Sequence, residues 1–199
     1  MTRAIASLWR WVLVASVALG VSGVARAGDD YAPPPPAHVA PFLAGSEDGV
    51  LSVTGAFGPA KDTTIVVTFS MKGEGAFDGF ALVPDAKAAH GQRKLPLPRL
   101  PQGSESGTFH MALTANVDKD PDDEQVIAFR VFRTAGNAKT GGYGYSTWEY
   151  AVLDWNGKKF VRLPALEKKL LAKMDAREDH KSSELSDADL RAALGLAKN

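Results

Sequence analysis

From about residue 50 onward, apolar and polar side chains alternate with a period of two residues. Within segment 64–71, Ile65, Val67, Phe69 and Met71 point to one side, and threonine and serine lie between them. This alternation is typical of a half-buried strand. The same pattern returns between clusters of glycine, proline, asparagine and aspartate, which predicts further strands at 51–54, 79–83, 108–114, 125–134, 148–155 and 159–163. We therefore expect an all-β antiparallel domain.

Segment 148–155 is largely apolar on both of its faces. A strand of this kind is expected at a central position, where both faces are covered. The Asn156-Gly157 pair that follows it separates two apolar runs, which is a strong signal for a β-hairpin. The sequence therefore predicts that 148–155 and 159–163 are neighbouring antiparallel strands.

After Pro164 the apolar period changes from two residues to that of a helix. One side of this helix is predicted to be apolar and the opposite side charged. The apolar stripe contains Leu166, Leu170, Leu171 and Met174, and the charged side contains Glu167, Lys168, Lys169 and Lys173. A second short helix is predicted with Ser186 as its N-cap, Asp189 three residues later and Gly195 near its end. Such a segment can bind a partner or a membrane surface, but we favour a cover for one face of the sheet, docked through Leu166, Leu170 and Met174.

The N-terminus has the pattern of a secretory signal peptide. Arg3 and Arg10 precede a short apolar run, and 24–27 reads Val-Ala-Arg-Ala, so cleavage is expected after Ala27. The run is shorter than the about 20 residues of a spanning helix, which argues against an anchor. We expect a periplasmic or extracellular mature protein without a membrane span. Its first part, 28–44, contains four consecutive prolines and is predicted to be a linker outside the core.

Two stretches of the β domain resemble each other at an offset of 60 residues. Segment 55–69 aligns with 115–129, so that Phe69 matches Phe129, and 80–85 loosely matches 150–155. Two copies of a unit of about four strands, near 50–104 and 108–164, account for most of the domain at 45–164. The helices then occupy 165–199. Repeats of this length indicate propeller or array architecture, although two blades are too few to close a propeller.

One group of residues in the second unit, the acidic segment from Asn116 to Glu124, suggests a binding site. Oxygen-bearing side chains stand at positions 1, 3, 5 and 9 of this loop, which leads directly into an apolar strand. Alternating carboxylates around a tight turn can converge on a hard cation such as calcium, which takes six to eight oxygen ligands. The alternative is a solvated acidic turn whose side chains hydrogen-bond their own backbone.

This segment resembles the calcium loop of the FG-GAP or VCBS-like repeat, the blade unit of integrin-type β-propellers and related bacterial surface proteins. The resemblance implies calcium ligands at Asn116, Asp118, Asp120 and Glu124, with Asp122 offering its carbonyl. It differs from that loop at Pro121, which replaces a glycine in a left-handed turn that proline cannot adopt. It is not an EF-hand, because Ile127 stands where a bidentate glutamate is required.

The amino-acid composition excludes several classes of protein and of site. Hydrophobic residues make up 45% of the 199 and charged residues 23%, and the chain has no cysteine, which excludes a disulfide scaffold, zinc–thiolate sites and wholesale disorder. Formal net charge is zero, and residues 1–27 hold three arginines and no acid, so the mature chain is mildly acidic and a poor binder of nucleic acid. The four histidines are scattered without the spacing of metal ligands, which argues against a zinc site.

Three hypotheses of different classes follow for the exported protein. The first is a non-catalytic binding module of propeller-blade type, stabilised by calcium, that contacts a protein or a glycan. The second is a periplasmic inhibitor or immunity-type protein that blocks a cell-wall-active enzyme. The third is a secreted hydrolase, although no nucleophile motif or spaced pair of acids indicates its site.

Overall fold

The computed structural model describes residues 35–70, 76–102, 107–118, 120, 122–135, 143–176 and 186–196. Two four-stranded antiparallel sheets form the body of the fold, as the alternation predicts, and in each sheet consecutive strands are neighbours. The first sheet contains β1 (Gly49–Gly55), β2 (Thr63–Ser70), β3 (Ala76–Pro84) and β4 (Gln92–Pro96). The second contains β5 (Gly107–Ala115), β6 (Glu124–Ala135), β7 (Tyr143–Trp155) and β8 (Phe160–Arg162), and helices α1 (Pro164–Asp175) and α2 (Asp187–Leu194) follow.

The two sheets pack face to face and share one hydrophobic core. The core contains the inward side chains of β2, which include Ile65 and Val67, together with those of β6 and β7. The rings of Phe77 and Phe129 meet at its centre, with centroids 4.8 Å apart in an edge-to-face arrangement. The protein is therefore a sandwich of two meanders.

The helices cover the outer face of the second sheet. Leu170 and Met174 of α1 and Leu190 of α2 pack against the outward side chains of β6 and β7, and Leu166 lies at the edge of this cluster. Docking through Leu166, Leu170 and Met174 is thereby confirmed, as is the central, doubly covered position of β7. No helix in the described part of the chain has the length and apolar character needed to cross a bilayer.

Two side chains of α1 differ from the predicted helix faces. Leu171 is 38% exposed, so it lies beside the apolar stripe. Glu167 turns toward the sheet, where it accepts hydrogen bonds from the backbone N–H of Val152 and from the Arg162 guanidinium. The charge of Glu167 suggested a solvent-facing position, but its partners lie on β7 and β8, so only the packing of α1 on the sheet brings it inward.

The outer face of the first sheet is covered by the segment that precedes β1. Val39 is fully buried against Val66, Phe80 and Leu82, beside a 3-10 helix at Ala40–Phe42. The predicted linker at 28–44 therefore contributes to the core at its C-terminal end, contrary to expectation. Its earlier part and the predicted signal peptide lie outside the described residues.

The predicted signals for turns and caps are confirmed. Ser186 and Asp189 form a reciprocal capping box at the start of α2, and Gly195 ends that helix with a φ of 81°. Residues 156–159 join β7 to β8, with Gly157 at a φ of 82°. The Asn156 side-chain oxygen accepts the Lys158 and Lys159 N–H groups, which stabilises this turn.

Strand β4 has no counterpart among the predicted strands. It carries exposed Arg93 and Lys94, ends at Pro96 and lies at the edge of its sheet. Charged residues and proline are typical of edge strands, because they discourage pairing with other chains. The same residues weaken the alternation from which a strand is predicted.

The repeat-like units share the direction of their side chains but differ in pairing register. An offset of 60 residues aligns β2 with β6 and matches Phe69 to Phe129. In the structure both side chains lie in the shared core. Ile65 lies opposite Ala81. Ala151 matches Ala81 in the second unit, but it lies opposite Ile127 and not opposite Gln125, the residue that matches Ile65. Because this shift is two residues, an even number, the inward face is preserved.

We expect the packing of α1 to contribute substantially to stability. Leu170→Ala removes a fully buried side chain from the helix–sheet interface and should cost about 2–5 kcal/mol of unfolding free energy. Leu171→Ala, one residue along the same helix, should change it by less than about 0.5 kcal/mol because that side chain is exposed. Urea denaturation of the two variants measures the difference. Equal losses would contradict this role of α1.

Candidate metal centre

The loop between β5 and β6 is shaped by its own carboxylates. Asp118 Oδ1 accepts the N–H of Asp120, and Asp120 Oδ1 accepts the N–H of Asp122, each at 3.1 Å. The Asn116 side-chain amide donates to the backbone carbonyl of Asp120. These are Asx-type turns, in which short acidic side chains take the place of backbone acceptors. They turn the chain back on itself and gather the carboxylates on one side.

Glu124, the first residue of β6, is the buried member of this group. Its side chain is fully buried, and Oε2 accepts the N–H of Val117 at 2.5 Å. It pairs with Ala115 of β5 and precedes the strongly apolar run of β6. The alternation of a strand places Glu124 on the same face as Val126, which is the face that the helices cover.

Asp154 of β7 joins the loop carboxylates from a different part of the chain. Gln125 lies opposite Leu153 in the β6–β7 ladder, so the next residue in register brings Asp154 opposite Glu124. One carboxylate oxygen of each of four residues lies within 4.8 Å of the others, the four being Asp118, Asp120, Glu124 and Asp154. Divalent cations are bound by oxygens gathered in this way.

The electrostatics of Glu124 reflect its burial. Desolvation raises the pKa of this carboxyl to about 7, because water no longer stabilises the charged form. The charges of Asp118, Asp120 and Asp154 raise the pKa in the same direction, whereas the hydrogen bond from Val117 lowers it.

The neighbouring acids show the same effect. Burial raises the pKa of Asp154, with the charges of Asp118 and Asp120 adding to it. Burial also raises the pKa of Asp122, and Asp120 and Asp154 contribute. Each of these carboxyls is surrounded by groups of its own charge. The cluster therefore favours any species that brings positive charge, a proton or a cation.

Several oxygens of the cluster are buried without a hydrogen-bond partner. They are Glu124 Oε1, Asp154 Oδ1 and Asp122 Oδ2. A buried polar atom without a partner costs free energy, and native structures satisfy nearly all such atoms. Since these oxygens belong to the cluster or adjoin it, one positively charged ligand can serve the group. Carboxylate oxygens are the donors that calcium prefers.

The structure brings together three of the five predicted ligands, Asp118, Asp120 and Glu124. The Asn116 side-chain amide donates to the Asp120 carbonyl, and the ligand roles of Asn116 and of the Asp122 backbone carbonyl stay predictions. The structure does not describe Lys119 and Pro121, so the expected effect of proline on the turn lies outside the described residues.

Asp154 was missed by reasoning from the sequence. Its signal was present, because it is an acid within the otherwise apolar run 150–155 of β7. Only the register of β6 against β7 shows that this acid faces the loop.

Comparison with known proteins adds no relative: no family model, curated protein or solved structure matches this chain. The resemblance to a propeller calcium loop therefore remains a hypothesis from the loop sequence. The carboxylate cluster is the feature of the described structure that indicates a function.

The raised pKa of Glu124 predicts how stability depends on pH in the ion-free protein. Between the unfolded value of 4.5 and the folded value of about 7, the folded state keeps a proton that the unfolded state releases. The contribution of Glu124 to stability is therefore fully present below the lower value, falls as pH rises through this window and is lost above it. The steepest slope from one such group is about 1.4 kcal/mol per pH unit.

Thermal melts in chelator at pH ~5 to ~8 test this window. Glu124→Gln should flatten the profile, because the amide does not titrate. Superimposable profiles for the two proteins would contradict a buried, titrating Glu124.

Proposed function

We propose that the protein is an exported, non-catalytic binding module whose β-sandwich is stabilised by calcium. The cation is held by the acidic cluster, and the module contacts a protein or a glycan. One observation carries the calcium part of this proposal. A fully buried glutamate, Glu124, has a carboxylate oxygen without a partner and lies among three other carboxylates. The signal-peptide pattern at 1–27 supports export of the protein.

The chemistry of the donors favours calcium among the common cations. All four residues of the cluster offer carboxylate oxygen, the hard ligand that calcium binds, and neither imidazole nor thiolate belongs to the group. Calcium accepts irregular arrangements of six to eight oxygens, whereas magnesium requires a compact octahedron and retains several waters. Asp118 is exposed, so water can complete the coordination shell on that side.

The raised pKa of Glu124 would also suit a general acid in a hydrolase, but its position does not. A general acid has to reach the substrate within hydrogen-bond distance. Glu124 is fully buried, and Asp154 is only 8% exposed. Burial of both side chains favours holding an ion over protonating a substrate.

The ends of β6 and β7 that lie away from the acidic cluster suggest a surface for the partner. Among the described residues, the pairing of β5 with β6 extends to Val131, and β6 and β7 remain paired as a ribbon as far as Ala135 and Tyr143. On this ribbon Tyr145 is 42% exposed. Exposed tyrosine is common in recognition surfaces, because its ring gives a large contact area at low entropic cost.

We expect calcium to raise the melting temperature of the mature protein. At a hundredfold excess over the dissociation constant, the ion should add about 2.7 kcal/mol of stability. An affinity of about 10⁻⁴–10⁻³ M, as in extracellular modules, is expected. Magnesium should have a smaller effect. Thermal melts in calcium, magnesium and chelator, with calorimetric titration of calcium, measure both quantities.

The control for this experiment is the double variant Asp118→Asn, Asp120→Asn. Asparagine keeps the Oδ1 acceptors that shape the turn but removes two charges from the cluster. The calcium shift should disappear, and the ion-free variant should be slightly more stable because repulsion is relieved. Identical melts of the unmodified protein in all three solutions would refute the calcium part of the proposal.

The binding part requires a second experiment with immobilised mature protein. The exported proteins of the source cells are passed over it, over Tyr145→Ser and over Leu171→Ser. Tyr145 and Leu171 are both large, exposed hydrophobic side chains, but Leu171 lies on helix α1. A specific partner should be retained by the unmodified protein and Leu171→Ser and lost from Tyr145→Ser. Equal retention by all three would contradict binding through the ribbon.

A further inference from the structure

We propose that Asp154 of β7 is a direct ligand of the cation, so that the ion joins β7 to the β5–β6 loop and β6. This inference rests on the proposed calcium site and deepens it. The loop alone predicts an ion bound within one continuous segment. A ligand from β7 makes the ion a tertiary cross-link between segments about 30 residues apart.

The register of the sheet brings two carboxylates together across strands. Gln125 pairs with Leu153, and one step further along both strands Glu124 stands opposite Asp154. By alternation both side chains lie on the face that carries Val126 and Val152. Like charges directly opposite each other destabilise a sheet. A cation between the two acids at this position therefore stabilises the sheet.

Burial makes this requirement stronger. Glu124 is fully buried and Asp154 is 8% exposed, and each has one oxygen without a hydrogen-bond partner. The charged neighbours that act on both carboxyls are Asp118 and Asp120, which are also acids. Arg162 of β8, close to Asp154 in the ladder, has its guanidinium bonded to Glu167. A cation bound among the carboxylates supplies the missing charge.

The position of Asp154 predicts what the ion stabilises. Asp154 pairs with Val161 of β8, and the neighbouring Trp155 packs on Phe160 with ring centroids 5.1 Å apart. An ion bound to Asp154 therefore holds the end of β7 from which the β8 hairpin begins. Without the ion, repulsion between Glu124 and Asp154 acts at this corner of the sheet.

Calorimetric titration of calcium into Asp154→Asn tests the ligand role. Asparagine has nearly the same shape but a weaker, neutral oxygen, so the calcium affinity should fall roughly tenfold or more. Asp123→Asn is the matched control, because Asp123 belongs to the same acidic segment but not to the cluster. That control should retain the affinity of the unmodified protein within about twofold.

Hydrogen exchange of the unmodified protein provides a second readout that does not depend on a variant. Calcium should slow amide exchange at Val161 and its neighbours in β8 more than in β2 of the other sheet. An ion held only by the loop would protect the loop and the start of β6 and leave β8 unchanged.

The possible outcomes separate this inference from the proposed function. Weaker binding by Asp154→Asn together with calcium protection of β8 supports the cross-link. Equal affinity of Asp154→Asn and the unmodified protein, or no protection of β8, overturns it and leaves a loop-only calcium site. If the unmodified protein binds no calcium, the calcium site and the cross-link both fail.

Discussion

The requirement that both faces of both sheets be covered determines the arrangement of this protein. The inner faces cover each other through a core that includes Phe77 and Phe129. The outer faces need further layers, and the segment around Val39 and the helices provide them. Because apolar burial is the main favourable term in folding, these two layers are part of the fold and not appendages. Strands β6 and β7 consequently lie in the interior on both sides.

That arrangement gives the acidic cluster its chemical character. An aspartate or glutamate on a surface loop is hydrated and costs little, but Glu124 and Asp154 stand at the ends of strands that are covered on both faces. Their charges therefore lose water and face each other. A protein can retain such a pair when a proton or a metal ion compensates it. Above the raised pKa of Glu124 only the ion remains, and for this reason calcium is central to our account.

Local sequence signals predicted much of the fold. Alternation located β2, β6 and β7, the Asn-Gly pair located the β7–β8 hairpin, and Ser186 with Asp189 located the start of α2. Features that depend on tertiary contacts were missed. Val39 follows a run of prolines and has no pattern of its own, and the charge of Glu167 suggested solvent exposure although Arg162 draws it inward.

Part of the candidate site could likewise be predicted from the sequence, and part of it could not. The loop spacing predicted that Asp118, Asp120 and Glu124 converge, because turn geometry is local. The contribution of Asp154 depends on the register between two strands, which a single sequence does not specify. The burial of Glu124 likewise depends on the layers above and below β6. The sequence therefore indicates which loop to examine, and tertiary structure supplies the ligand and the electrostatic reason for an ion.

A crystal structure of the mature protein grown with calcium above pH ~7 tests the central claim most directly. Our account predicts one anomalous peak among Asp118, Asp120, Glu124 and Asp154, with carboxylate oxygens at about 2.3–2.6 Å from it. No peak in that position, with Glu124 and Asp154 instead sharing a proton in a short hydrogen bond, would contradict the account.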